Sequence, residues 1–380
     1  MFFTLCLRHS YLPEPLMRTV VVPITKNKTG DVSDTANYRP ISLATIMAKC
    51  YTNRKTPVYA CFLDLSKAFD LVNYEILWSK LRDTSVPREC IELFRFWYQN
   101  QVNQVRWADA MSEEYRLECG VRQGGLSSPT LFNLYIDRLI EELSGMHVGC
   151  HVDGTCVNNI SYADDMVLLG PSIGSIVKLV ATCERYAAAH GLKYNSKKSE
   201  VLIFKSSKFN PVNVPSVVLA GTALRVVDRF KYLGHMLTDE LKDDLDVERE
   251  RRALAVRSNV LTRRFARCSF NVKLTLFKAY CTSFYSSSLW CQYTKRAYNN
   301  LRVQYNNAFR MLMRLPRHCS ASGMFAEARS DGFHAIMRKK AASFLHRARG
   351  SRNSILNTLV HRFDSPILIH LIRRVIGQIK

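Results

Sequence analysis

Three acidic side chains stand where acids are costly. Asp64 closes the apolar run PVYACFLD (Pro57–Asp64), and Asp164 and Asp165 interrupt SYADDMVLL. A carboxylate inside an apolar stretch is unfavourable unless something pairs with it. Two adjacent carboxylates also resist joint ionisation. A divalent cation resolves both problems. Mg²⁺ is a hard ion that takes carboxylate oxygens together with substrate phosphates. Two such ions can bind the attacking and leaving oxygens of an in-line phosphoryl displacement. A plain turn is the competing reading of the Asp-Asp pair. A third acid at the end of another buried run favours the metal.

A glycine signal lies between these acids. Arg122-Gln123-Gly124-Gly125 leads into Leu126-Ser127-Ser128-Pro129. Paired glycines let backbone approach a ligand closely, and a helix beginning near Pro129 offers free amides. Alone, the pattern also fits an ordinary loop.

The elements that must position these residues can be read from pattern. Pro57–Asp64 is apolar on both faces, so it predicts a buried strand. Asn73 caps a helix to about Arg82, with Ile76, Leu77 and Leu81 inward. The segment 101–122 alternates loosely and predicts a hairpin. Ser128 caps a helix that runs to about Leu143. The segments 147–152 and 157–169 predict strands joined at Asp153-Gly154. A helix over 173–190 ends at Gly191. Further strands are expected at 200–205 and 230–237, and helices near 271–290 and 299–315. No internal repeat appears.

Charge divides the chain. Residues 1–250 hold 29 basic and 29 acidic side chains, whereas residues 251–380 hold 25 basic and 3 acidic ones, which is the whole net charge of +22. A neutral mixed α/β body therefore precedes a cationic helical part, with a boundary near 240–250. An excess this lopsided, interleaved with Phe and Tyr, predicts a polyanionic partner. Apolar runs such as Met1–Leu7 fall far short of the roughly 20 residues a membrane span needs, and Met1–Leu7 lacks a basic lead as a signal peptide. The 12 cysteines form no Cys-x-x-Cys pair. His147, Cys150, His151 and Cys156 match no zinc spacing and read as strand and turn residues. Scattered cysteines predict a reducing compartment, nucleus or cytoplasm rather than secretion.

Six blocks in order carry a resemblance: NYRPISL (37–43), FLDLSKAFD (62–70), GVRQGGLSSPTLFNLYID (120–137), YADD (162–165), GLKYNSKKSEVL (191–202) and FKYLG (230–234). Together they resemble the reverse transcriptase of non-LTR (long interspersed) retrotransposons, in look the jockey-like elements of animals. The resemblance implies an α+β right-hand polymerase: partial fingers over 1–56, an antiparallel palm sheet over 57–240, and a helical basic thumb over 241–380. It implies an RNA-directed DNA polymerase working on an RNA template, a DNA primer and deoxynucleoside triphosphates, with two Mg²⁺ ions (or Mn²⁺) and no membrane. Asp64 and Asp164 would be metal ligands, with Asp165 the third acid and Leu65 adding a backbone carbonyl. Phe69 matches the family's aromatic gate, whose ring would clash with a ribose 2′-hydroxyl; its other reading is a core Phe. Arg39 would clamp the triphosphate, with Lys26 assisting, and Gln123 with Gly124 would line the nucleotide pocket. Lys198 matches the lysine that protonates departing pyrophosphate, against a plain surface lysine. Tyr232, Leu233 and Gly234 would form the primer grip.

The chain also departs from the family's pattern. Only 20 residues, Ala44 to Leu63, separate NYRPISL from Asp64. Relatives carry several dozen more, including a Gln-x-Gly-Phe stretch that helps hold template. The fingers are therefore expected to be truncated, by a deletion or by a misjoined gene. The family's endonuclease part would lie upstream and no Cys-His knuckle follows, so a fragment or decayed copy is expected. Two other readings remain: a nucleic-acid-binding remnant with a polymerase shape and no turnover, and a group II intron maturase or telomerase-like enzyme. The wording of FLDLSKAFD, YADD and RQGGLSSP fits non-LTR elements better than the last.

Overall fold

The structure is a computed structural model that describes residues 18–21, 48, 56–122, 124–206, 213–351, 353 and 366–377. Strand β1 (Arg18–Val21) runs parallel to a later strand in a small three-stranded sheet. Strand β2 (Val58–Asp64) is the sheet's central strand, and all its residues but Asp64 are buried. A single 3-10 turn (Ala68–Leu71) follows. Helix α1 (Tyr74–Arg82) starts where expected, with the Asn73 side chain accepting from the Ile76 N–H. Helix α2 (Arg88–Asn100) leads into the short hairpin of β3 (Val102–Trp107) and β4 (Ala110–Met111), smaller than the hairpin expected over 101–122.

Helix α3 (Ser128–Gly145) has Ser127, not Ser128, at its cap position. The dipeptide Asp153-Gly154 turns a two-residue ladder of β5 (His151–Val152) and β6 (Thr155–Cys156), both turn residues having positive φ. This is the conformation that two-residue hairpin turns require. The strand expected over 157–169 is instead a hairpin, β7 (Asn159–Tyr162) and β8 (Asp165–Gly170), broken at Ala163-Asp164. Helix α4 (Ile173–Ala189) carries a Ser172–Ser175 capping box and ends ahead of Gly191, at φ +66°.

Strand β9 (Glu200–Phe204) is followed by β10 (Val218–Leu219), β11 (Thr222–Ala223) and β12 (Arg225–Val227). The strand expected over 230–237 is again a hairpin, β13 (Arg229–Tyr232) and β14 (His235–Thr238). Helices α5 (Asp244–Arg264), α6 (Phe270–Cys281), α7 (Lys295–Met313), α8 (Ala321–Glu327), α9 (Phe333–Arg349) and α10 (Pro366–Val375) complete the described chain. The helix expected over 271–290 stops at Cys281, and Phe284 and Ser286 then adopt positive φ.

The main sheet has the order β12-β9-β2-β8-β7, with β2 antiparallel to both neighbours. Period-two alternation sorts its side chains into two cores. Tyr59, Cys61 and Leu63 pack with Leu139 and Leu143 of α3 and Ile176, Leu179 and Cys183 of α4. Val58, Ala60 and Phe62 face the other way, toward Tyr232 and Leu237 and toward Leu345 and Leu371 of the helical part. The helices after residue 243 also have a core of their own around Phe277, Trp290, Tyr305 and Phe309. Among the described residues the ten cysteines are free, and no helix is long and apolar enough to cross a membrane.

Candidate active site

Strand register brings two of the three acids together. Asp64 lies directly opposite Asp165 across β2 and β8. Both share the parity of Phe62 and Val167, so both stand on the sheet face that looks toward Tyr232. Tyr162 pairs with Asp165, which leaves Ala163 and Asp164 as the turn. Ala163 takes φ +51°, and Asp164 sits half-buried in the bend beside the pair. Like charges directly opposite one another are destabilising in a sheet. The pair therefore calls for a compensating cation.

Among the described residues, Lys198 reaches it. Lys198 Nζ lies 3.9 Å from Asp64 Oδ2, on a side chain that is 70% exposed. Its backbone is fixed by a set of bonds around Asp64. The Asn195 N–H donates to the Asp64 carbonyl (2.8 Å), and the Asp64 N–H donates to Ser199 Oγ (3.1 Å). Ser199 Oγ in turn donates to the Asn195 carbonyl (2.9 Å), and Asn195 Oδ1 accepts from the Lys197 N–H (3.2 Å). Sequence reasoning missed Asn195 and Ser199. The signal was present: Asn followed by Ser-Lys-Lys-Ser is a side-chain-closed turn.

Leu65 is bridged to Tyr194, bracketed by the bonds Asn195 N–H to Asp64 O and Ser66 N–H to Lys193 O. In such a bracket the central pair's own carbonyls point away from each other's strand. The Leu65 carbonyl is therefore turned away from the 193–195 segment.

On the other flank, Phe69 stacks on Phe132 with centroids 4.8 Å apart and planes inclined by 20°. Its carbonyl accepts from the Val121 N–H (2.7 Å), and the Val72 carbonyl from the Gly120 N–H (2.8 Å). Gly120 is required there: it has φ +93°, and a Cβ would lie 2.9 Å from the Asp70 carbonyl oxygen. These contacts dock the glycine loop beside Phe69. Gly124 is exposed in it. Arg122 donates from Nε to Gln101 Oε1 (2.6 Å) and lies 5.2 Å from the Trp97 ring centroid; burial pushes its pKa down. Gln123, Lys26 and Arg39 lie outside the described residues, as does the shortened stretch ahead of residue 56 apart from Ala48.

A cleft of about 320 Å³ joins Asp64, Asp165 and Lys198 to the turn Tyr232-Leu233-Gly234. Phe230 stacks on Phe62 at 4.1 Å along its wall. Tyr232 is 3% exposed, and its hydroxyl has no hydrogen-bond partner among the described residues. Burial and then the nearby Asp165 carboxylate push the Tyr232 phenol well up. Among the described residues no three His, Cys, Asp or Glu side chains form a ready metal cluster, the His147–Cys156 group included. The Asp64–Asp165 pair, with Asp164 adjacent, is nevertheless an all-carboxylate donor set open to a cleft, which suits a hard cation that keeps some waters.

The sequence profile of the reverse transcriptase (RNA-dependent DNA polymerase) family matches residues 34–237. The chain belongs to that family. The polyprotein of the type-2 retrotransposable element R2DM of Drosophila melanogaster is 29% identical over 182 residues, covering 46% of this chain and 17% of that protein. The polymerase of the mobile element jockey of Drosophila funebris is 20% identical over 317 residues, covering 81% of this chain and 34% of its own length. The chain thus spans less than half of either relative. Both relatives come from non-LTR retrotransposons. Among solved structures, apo telomerase from Candida tropicalis superposes with a TM-score of 0.41 at 12% identity, over 88% of this chain and 52% of that one. Reverse transcriptases as a family use divalent metal ions.

Proposed function

We propose that this chain is an RNA-directed DNA polymerase, adding deoxynucleotides to a primer 3′-hydroxyl on an RNA template. The observation that carries this is the Asp64–Asp165 cross-strand pair, open to a cleft and approached by Lys198. Two Mg²⁺ ions held by Asp64, Asp164, Asp165 and the Leu65 carbonyl would supply charge neutralisation and a more acidic 3′-hydroxyl. The 3′-oxygen attacks the α-phosphate in line, and pyrophosphate departs. Lys198 stands on the open side of Asp64 and gives a proton to that leaving group. Phe69, held flat on Phe132, shuts out a 2′-hydroxyl. Gly124, with Gln123, Arg39 and Lys26, completes the nucleotide pocket. Tyr232, Leu233 and Gly234 grip the primer end.

The remaining assignments follow the same reading. Residues 57–240 serve as palm and 241–380 as thumb, whose helices hold the duplex by its phosphates without reading sequence. Free cysteines support a reducing compartment, nucleus or cytoplasm.

The test is extension of a primed RNA template with deoxynucleotides and Mg²⁺, by wild type and by Asp164→Ala. Extension by wild type alone supports the polymerase. Absence of extension with salt-sensitive template binding retained in both proteins leaves a binding remnant.

A further inference from the structure

The cleft turn Leu233-Gly234 is held from outside its own hairpin. Tyr232 pairs with His235, so the turn has two residues, at φ +47° and +85°. Two-residue turns with both φ positive favour Asn and Gly. A leucine there is strained, and something must over-determine its conformation.

That something is Tyr285. Its hydroxyl donates to the Leu233 carbonyl at 2.7 Å. Its ring lies so close to Gly234 that a Cβ would stand 3.0 Å from Tyr285 Cε1. Tyr285 is itself flanked by Phe284 at φ +36° and Ser286 at φ +62°. This second strained segment is tied down by Asp246. The buried Asp246 carboxylate accepts from Ser286 Oγ (2.7 Å) and Trp290 Nε1 (2.7 Å) on one side. It accepts from His235 Nδ1 (3.0 Å) and the Met236 N–H (3.0 Å) on the other. One carboxylate at the start of α5 therefore binds both the strand that leaves the turn and the segment that carries Tyr285.

We infer that Tyr285 is a positioning residue that sets the Leu233-Gly234 turn against the cleft, and that Asp246 locks Tyr285 to the helical part. The inference rests on the polymerase reading above for its consequence, which is alignment of the primer end, but not for the clamp itself. Tyr285 touches no reacting group; it acts through the Leu233 carbonyl. Displacement of the helices that carry Asp246 is thereby transmitted to the turn.

Tyr285→Phe removes the hydroxyl alone and keeps the ring against Gly234. Two measurements on the full chain test the proposal. In hydrogen exchange, the amides of residues 229–238 should exchange about fivefold faster in the variant, the worth of one hydrogen bond. In single-turnover extension, the rate from a bound primer should fall about fivefold. The melting temperature should fall by no more than the few degrees that one hydrogen bond is worth, and the fraction of molecules that extend should not change; a merely structural role would lower that fraction. Unchanged exchange overturns the clamp, and loosened exchange with an unchanged extension rate overturns the positioning role. If wild type does not extend at all, the polymerase reading fails, and exchange still decides whether the clamp exists.

Discussion

His235 Nδ1 and Asp246 Oδ2 meet at 3.0 Å with side-chain exposures of 1% and 0%. Burial pushes the Asp246 carboxyl up, but hydrogen bonds from His235 and Arg249 outweigh it and hold it well below the usual carboxylate range. Beside it on the same helix, the Arg251 and Arg252 contacts bring Glu248 down to about 2. A carboxyl depressed on folding adds stability that is full above its unfolded pKa and is lost as pH falls through the folded one. Urea midpoints should therefore fall as pH drops from about 5 toward 2. Asp246→Asn should cost about 3 kcal/mol at pH 7 and flatten that acid limb. A limb as steep in the variant as in wild type would show that Asp246 is not its source.

The facing of Asp64 and Asp165 predicts a trade between activity and stability. Asp165→Asn should reduce primer extension by about a thousandfold or more, because charge stabilisation at the reacting phosphate is the largest catalytic contribution. The same change relieves a like-charge pair and should stabilise the fold by about 0.5 kcal/mol without metal present. Extension and urea denaturation of one preparation check both signs.

Lys198→Ala should slow nucleotide addition by about a hundredfold, within the usual range for a general acid. The midpoint of unfolding should stay within about 0.5 kcal/mol, since the contact to Asp64 is long and exposed. A leaving group more acidic than pyrophosphate should narrow the gap between variant and wild type.

Phe69→Val should relax sugar discrimination. The ratio of deoxynucleotide to ribonucleotide incorporation should fall by about tenfold or more. A core role alone would lower stability and leave that ratio untouched.

Gly120 and Gly124 separate two costs of a methyl group. Both have positive φ, but an added Cβ meets the Asp70 backbone at Gly120 and nothing within 4 Å at Gly124. Gly120→Ala should destabilise by about 3 kcal/mol and Gly124→Ala by about 1 kcal/mol. Equal costs in denaturant titrations would mean that the docking of the loop on Phe69 adds nothing.

Much of this architecture is legible in the sequence, and two of the gaps share one cause. The run ending at Asp64 reads as a doubly buried strand, and Asn73 and Gly191 mark helix ends. Two hairpins look like continuous strands in the sequence because their turns carry Ala163 and Leu233 at positive φ. Neither residue advertises a turn. The facing of Asp64 and Asp165 comes from the long-range register of β2 and β8, which neither run states by itself. The Asp246 hub was invisible for another reason: its partners come from positions 235, 249, 286 and 290, and no local pattern links them.

Strand β2 lies in the middle of the five-stranded sheet, with paired neighbours on both sides, whereas β7 is an edge. Central strands open last and edges fray first. In a copy drifting under mutation, Asp64 would keep its place through losses that already loosen β7 and the Ala163-Asp164 bend, whereas Asp165 on β8 is paired on both sides. Decay of such a site begins at its periphery, and Asp164 in the bend goes before Asp64.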